Sequence, residues 1–362
     1  MVAMDRPLRV AYTLEQCWHD VPGGTAVATL EVLSRLHQRD DVEMIGVAGR
    51  HRHLPHPPFL PPIEVRQLRL RRPWLYETWN RFGRPRVEHV TGPIDVCHST
   101  IAVPAGTRAA HVVTVHDVAF MHTPERFTKH GARVMRVGLE RCRNLDLLMC
   151  PSNTTRTDLV ELGFGAERIR VVPWGVSSVE VTAAQIAQLR ITYALPERFV
   201  LFVGTLEPRK NLARLVDAMS RLSQPIPLAI AGATGWGESV VPSSTDVRFL
   251  GFVPSVDLPT LYAATAVFVY PSLQEGFGLP VLEAMAQGAP VVTSRGTATE
   301  EVAGGAAVLI DPTDTDSIAV GIDQALNEGA QWSDLGRARA AELTWDVTAD
   351  ATVAAYREVA AR

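Results

Sequence analysis

This sequence predicts an α/β fold of two doubly wound parallel-sheet domains, on three observations. The chain has 362 residues, 46% hydrophobic and 20% charged, a globular composition in a length greater than one core usually serves. Short apolar runs alternate with amphipathic stretches, the pattern of a parallel sheet covered by helices. After a passage from Ser177 to Pro196 the pattern restarts. The predicted units are residues 1–176 and 177–345, with 346–362 a helix that crosses back onto the first.

The elements follow in order. Leu8–Thr13 reads as a strand, followed by a loop through Pro22-Gly23-Gly24, a helix from Thr25 to about His37 and a strand at Val42–Val47. His51 to Pro62, rich in Pro and His, reads as a loop. Asp95–His98, His111–Val115 and Leu147–Cys150 are short buried strands, with a helix over Thr128–Arg143 before the third. Asn153 is the expected cap of a helix ending at Gly163, and Arg168–Val172 closes the first half. In the second half, strands are expected at Phe199–Val203, Pro227–Ala231, Val247–Leu250, Ala266–Tyr270, Pro290–Thr293 and Val308–Ile310. Helices are expected at Asn211–Leu222, Val256–Ala264 and Pro280–Gln287, and two more end the chain. Open sheets of this kind bind ligands at the carboxyl ends of their strands, so two such edges facing each other would make a cleft.

The net charge of −4 hides an asymmetry: 23 Lys and Arg against 18 Asp and Glu up to Ser178, then 12 against 21. A basic first half suits work near anions, although a plain solvated surface reads the same way. No run of about 18 apolar residues exists, and Met1–Val10 has no signal-peptide core. Cys17, Cys97, Cys142 and Cys150 lack metal-like spacing and read as reduced thiols of a cytosolic protein.

Four motifs carry chemistry. Pro271-Ser-Leu-Gln-Glu275-Gly-Phe-Gly-Leu-Pro-Val-Leu-Glu283 begins where a strand ends. Gly276 and Gly278 let the backbone bend close to a ligand, and Pro280 suits the first position of a helix. The amides of Phe277, Gly278 and Leu279 then open an anion site at a helix N-terminus. Glu275 and Glu283 can flank a bound diphosphate and accept paired hydrogen bonds from vicinal hydroxyls; the alternative is two ordinary acids at a helix start. In Gly204-Thr-Leu-Glu207-Pro-Arg209-Lys210-Asn211, again after a strand, two cations can neutralise a diphosphate and the charge that grows on it, or be a solvated surface pair. Val115-His116-Asp117 ends a first-half strand; Asp117 could fix the tautomer of His116 or cap the next turn, and a lone His can also be structural. Pro22-Gly23-Gly24 offers backbone amides to phosphates or is a tight turn. No Gly-x-Gly-x-x-Gly follows the first strand, which disfavours nicotinamide or flavin binding. Asp314-Thr-Asp316 has the spacing of some metal sites, but helix capping by Thr315 or a neighbour is simpler, so no catalytic metal is expected.

Together these motifs resemble the retaining glycosyltransferases of family 4, with the GT-B fold of two Rossmann-like domains. The resemblance covers the whole chain and is densest from Arg168 to Pro312. The family's paired glutamates, with seven residues between them, match Glu275 and Glu283. The resemblance implies that Glu275 contacts hydroxyls of the transferred sugar and Glu283 the ribose. Arg209 and Lys210 would hold the diphosphate, with amides from Phe277, Gly278 and Leu279. Gly24 and His116 would contribute from the first unit, and Phe252 and Val253 would lie beside the nucleobase. Trp174-Gly175-Val176 departs from the family's usual Asn-Gly-Val, and the loop Leu14–Val21, with Cys17, Trp18 and His19, is unusual.

The expected donor is a nucleotide diphosphate sugar with no further cofactor. Asp311-Pro, Gly235-Trp236-Gly237 and the Glu207-Pro-Arg-Lys-Asn run most resemble bacterial mannosyltransferases, which implies GDP-mannose, with UDP-glucose or UDP-N-acetylglucosamine as alternatives. The acceptor is left as a glycan, a lipid-linked molecule or a small molecule. A sugar-nucleotide epimerase and a non-catalytic binding protein are the rival classes. Val65–His89 holds seven arginines with Trp74, Tyr76, Trp79 and Phe82. That mixture suits an anionic membrane surface or a lipid phosphate, or else a helix with its aromatics packed inward. The expected location is cytoplasmic, peripheral to the inner face of the membrane, with no nucleic-acid partner.

Overall fold

The computed structural model describes residues 6–19, 23–124, 128–232 and 246–362. Pro22 and Gly235-Trp236-Gly237 lie outside them. The chain divides into two compact units: unit 1, Met1–Gly175 with Trp345–Arg362, and unit 2, Val176–Thr344.

Unit 1 runs β1 (Leu8–Thr13), α1 (Gly23–Leu36), β2 (Val42–Ala48), β3 (Val65–Gln67), α2 (Trp74–Phe82), α3 (Glu88–Thr91), β4 (Val96–Ser99), β5 (Ala110–Thr114), α4 (Ala119–His122), α5 (Lys129–Arg141), β6 (Leu147–Cys150), α6 (Asn153–Glu161) and β7 (Ile169–Val171). Its seven strands are all parallel, in the order β3-β2-β1-β4-β5-β6-β7. Val10 pairs with Met44 on one side and Val96 on the other. Strands covered on both faces are apolar along their length, as β6 (Leu-Leu-Met-Cys) shows.

Unit 2 runs α7 (Ala183–Thr192), β8 (Val200–Val203), α8 (Leu212–Met219), β9 (Leu228–Ala231), β10 (Val247–Gly251), α9 (Leu258–Ala264), β11 (Val267–Tyr270), α10 (Leu279–Ala286), β12 (Val291–Ser294), α11 (Ala298–Ala303), β13 (Val308–Ile310), α12 (Thr315–Asn327) and α13 (Gly329–Glu342). Its six strands are also parallel, in the order β10-β9-β8-β11-β12-β13. A further helix, α14 (Trp345–Ala360), belongs to unit 1. It packs on α1, β4 and β5, and buries Val353, Tyr356 and Val359.

The α/β class and most strands follow the sequence reading, with corrections. Helix α1 starts at Gly23, so Gly23 and Gly24 form its first turn rather than a loop before it. Ser152, not Asn153, caps α6, because its Oγ accepts from the amide of Thr155 at 3.1 Å. Three helices follow β13, not two. In Val65–His89 the aromatics divide: Tyr76 and Trp79 are buried in α2, while Trp74 and Phe82 are exposed. All four cysteines are buried, and none forms a disulfide among the described residues. Among the described residues no helix is long and apolar enough to cross a membrane.

Candidate active site

In unit 2 the strand order reverses between β8 and β11. An open α/β sheet takes ligands at such a switch point, off the carboxyl ends of the strands. The loop after β8 carries Arg209 and Lys210 in a short 3-10 turn, and the loop after β11 carries Glu275. The amide of Leu273 donates to the carbonyl of Arg209 at 2.8 Å and holds the two loops together. Asn211, at φ 61°, turns the chain from the cations into α8, and its amide group donates to the carbonyls of Pro271 and Pro312.

The three predicted charges meet there. Arg209 Nη1 donates to Glu275 Oε2 at 2.8 Å, and Lys210 Nζ donates to Glu275 Oε1 at 2.6 Å. Arg209 also pairs with Glu207 at 2.8 Å, and Lys210 donates to the hydroxyl of Tyr270. Burial alone would raise the pKa of Glu275, but Lys210 and Arg209 outweigh it and bring the carboxyl down to about 2. The same burial lowers the pKa of Lys210, against the pull of Glu275. Both oxygens of Glu275 are therefore engaged by cations, a bond the sequence reading did not foresee. Each oxygen keeps a second lone pair for a hydroxyl donor.

Helix α10 begins at Leu279, so Pro280 is its second residue, with Gly278 as N-cap at φ 105°. A Cβ on Gly278 would sit 2.7 Å from Thr299 Cγ2, so both conformation and space require glycine. The side chains of Phe277 and Leu279 are buried, which leaves their backbones as the part that can face a ligand. Glu283, one turn into α10, accepts from the hydroxyl of Tyr262 at 2.9 Å, and burial raises its pKa despite that bond. Phe252 is 76% exposed, while Val253 is buried, so only Phe252 can present its side chain to a base.

In unit 1 the order reverses between β1 and β4. His116 follows β5, and its Nε2 donates to the carbonyl of Thr100 at 2.7 Å. This bond, not Asp117, selects the tautomer; Asp117 instead accepts from the amide of Ala119, the first residue of α4, at 2.9 Å. Nδ1 of His116 is buried and has no partner among the described residues. Burial lowers the pKa of His116, so the ring is held neutral. Trp174, the departure from the family pattern, places its ring 5.3 Å from that of His116. A small cavity of about 30 Å³ lies beside the ring, lined among others by His116, Thr100 and Trp174. Gly24 is exposed in the first turn of α1.

Arg209, Lys210 and Glu275 are thus in direct contact, Glu283 lies on the adjoining helix with residues 277–279 at its start, and His116 and Gly24 belong to unit 1. The sequence reading missed Tyr270, Tyr262, Asn211 and Thr299. Tyr270 stood directly before the acidic motif, and Asn211 stood in the basic run without a role. Asp314 caps α12 by accepting from the amide of Asp316 at 2.9 Å, and Asp316 pairs with Arg221. The capping residue is Asp314 itself rather than Thr315.

Comparison with known proteins gives the family and the fold. The glycosyl transferases group 1 family model matches residues 192–341, and the glycosyltransferase family 4 model matches residues 22–179. The chain is 35% identical to O-antigen chain mannosyltransferase B of Escherichia coli over 266 residues, 68% of this chain and 70% of that one. It is 28% identical to the serotype-specific mannosyltransferase WbdA of Escherichia coli over 281 residues, but these span only 34% of that longer protein. The fold matches Anabaena HepE, solved with UDP and glucose, at TM-score 0.71 and 19% identity over 98% of both chains. It matches sucrose-phosphate synthase of Thermosynechococcus elongatus at TM-score 0.74 and 20% identity over 98% and 99%. From its sheets, its clustered charges and these relatives, the chain belongs to the glycosyltransferases of family 4 and group 1, and is a hexosyltransferase of the GT-B fold.

Proposed function

We propose that this glycosyltransferase moves mannose from GDP-mannose to a glycan, lipid-linked or small-molecule acceptor with retention of configuration. The observation that carries the reading is the buried Arg209–Glu275–Lys210 cluster at the switch point of unit 2. Mannose is favoured because the relatives above are mannosyltransferases by name.

In this reading Arg209 and Lys210 face the donor diphosphate and stabilise the charge that grows on it as the sugar–phosphate bond breaks. Glu275, fixed by both cations, accepts from hydroxyls of the sugar. The amides of Phe277, Gly278 and Leu279 add a helix N-terminus to the anion, Glu283 takes the ribose, and Phe252 lies against the base. His116 contacts the transferred sugar and Gly24 approaches the donor. The acceptor oxygen bonds to the anomeric carbon on the face the phosphate leaves, and the acceptor's proton passes to the leaving diphosphate. No side chain need form a covalent intermediate and no cofactor is required.

The test is a thermal-shift and turnover comparison of GDP-mannose with UDP-glucose and UDP-N-acetylglucosamine. Stabilisation and transfer with GDP-mannose are expected, the product anomer read by NMR. A UDP-sugar as the sole substrate would overturn the donor, an inverted product the stereochemistry, and conversion of donor without acceptor would mark an epimerase. Arg209→Ala is expected to stay folded and lose about 10²- to 10³-fold in kcat.

A peripheral contact with anionic membrane at the cytoplasmic face belongs to the same proposal. Exposed Trp74 and Phe82 support it, as do Arg69, Arg71 and Arg72, which have no ion-pair partner among the described residues. Co-sedimentation with anionic vesicles in low salt, lost in a Trp74→Ala variant, is the expected result; equal binding to neutral vesicles would refute it.

A further inference from the structure

We propose that Trp18, His51 and Glu15, in unit 1, form the subsite for a sugar ring of the acceptor. The proposal deepens the reading above and rests on it for the reaction served. The residues sit off the carboxyl ends of β1 and β2, neighbours in the sheet. That is one strand away from the β1/β4 reversal, where Gln16 donates to Thr100 Oγ1 at 2.6 Å and the Thr100 carbonyl holds His116.

The cluster is built, not incidental. Glu15 is 1% exposed, yet it is an acid, whose burial is costly unless its oxygens are satisfied. Its Oε2 accepts from the amide of Gly49 at 2.7 Å, and its Oε1 meets His51 Nε2 at 3.0 Å. A Cβ on Gly49 would lie 3.1 Å from Glu15 Oε2 and 2.9 Å from the carbonyl oxygen of Leu70, so the close approach needs glycine. A carboxylate only accepts, so Nε2 of His51 carries its hydrogen. That leaves Nδ1 as the ring's other polar atom, with no partner among the described residues. Trp18 stacks on the same imidazole, centroids 4.4 Å apart and planes 10° apart, and its indole N–H donates to the carbonyl of His53 at 2.8 Å. Half-buried, the pair offers a flat aromatic surface beside one fixed polar ring atom.

That combination fits a pyranose. The C–H face of a sugar ring packs on an aromatic surface, while a ring hydroxyl hydrogen-bonds the imidazole Nδ1. None of the contacts within the cluster is needed to join the strands, which already pair through their backbones from Leu8 to Thr13. Arg50 and Arg52, exposed on either side of His51, make a phosphate group the competing ligand.

The test uses the full chain, methyl α-D-mannopyranoside as probe, and ligand-observed NMR. GDP binding serves as an independent report on folding and on the unit 2 site. His51→Ala and Trp18→Ala are each expected to weaken the mannoside about tenfold, with GDP affinity within about twofold of wild type. Trp18→Phe, which keeps a flat ring, should lose less. The proposal fails if wild type does not bind the mannoside, if neither alanine variant weakens it, or if inorganic phosphate displaces it at equal concentration. Loss of GDP binding in the wild-type protein would instead count against the donor site of unit 2.

Discussion

Replacing Lys210 by Met removes one of two cations from a carboxylate that is only 8% exposed. The fall of Glu275 from 4.5 to about 2 corresponds to about 3 kcal/mol, at about 1.4 kcal/mol per pKa unit. Because the folded pKa lies below the unfolded one, this stabilisation is present above pH 4.5 and fades as the pH falls toward 2. Lys210 is the first of the two cations in its effect, so Lys210→Met should cost about 2 kcal/mol at pH 7, less than the ~3–5 of a wholly unpaired buried charge because Arg209 remains. In a unit of this size that is a loss of about 4–8 °C in Tm. Turnover should fall about 10²- to 10³-fold if the ammonium also meets the donor phosphates. The double variant Lys210→Met/Glu275→Gln separates the two roles. Removing the stranded charge should restore most of the stability and none of the turnover. Calorimetry and a donor-saturated transfer assay measure both. A double variant that regains activity with its stability would show Lys210 to be only a structural counterion, and the reasoning would be refuted.

Gly278→Ala forces a side chain into a φ of 105° and against Thr299, and should cost about 1–3 kcal/mol and weaken GDP binding. Adding Thr299→Ser removes the clashing methyl, so calorimetry should find part of the stability restored; full recovery would show that the backbone is unstrained. His98, buried between the hydroxyls of Tyr356 and Thr114 at 2.7 Å each, has its pKa pushed down to about 3 by burial. Its folded pKa is depressed, so stability is full above the unfolded value near 6.5 and falls as the pH drops from there toward 3. Urea midpoints between pH 7 and pH 4 should therefore fall less steeply in His98→Gln than in wild type.

Much of the site was legible because its residues sit where local signals are strongest. Glu275, Arg209 and Lys210 each lie shortly after a run of buried β-branched and aromatic residues, in loops marked by Gly or Pro. Their mutual bonds were not legible, since they depend on β8 lying beside β11, a pairing no local pattern encodes. The partners Tyr270 and Tyr262 are core residues whose hydroxyls matter only once the sheet and helices are assembled. Missed elements failed for simpler reasons. Strand β3 has three residues, none of them buried, and α4 has only four residues. Helix α7 buries only Leu189, so it shows no apolar face. In Val65–His89 composition alone could not say that Tyr76 and Trp79 turn inward while Trp74 and Phe82 do not.

The amide of Val176 donates to the carbonyl of Leu343 at 2.9 Å, so unit 2 begins and ends at one spot. All its residues come from one unbroken stretch, whereas unit 1 waits for α14 to cover α1 and β5. During synthesis, therefore, unit 2 has all its parts in hand while unit 1 still presents an uncovered apolar face. A chain cut before Trp345 would therefore keep every strand and helix of the second unit, while the first would lose the helix that covers α1 and β5.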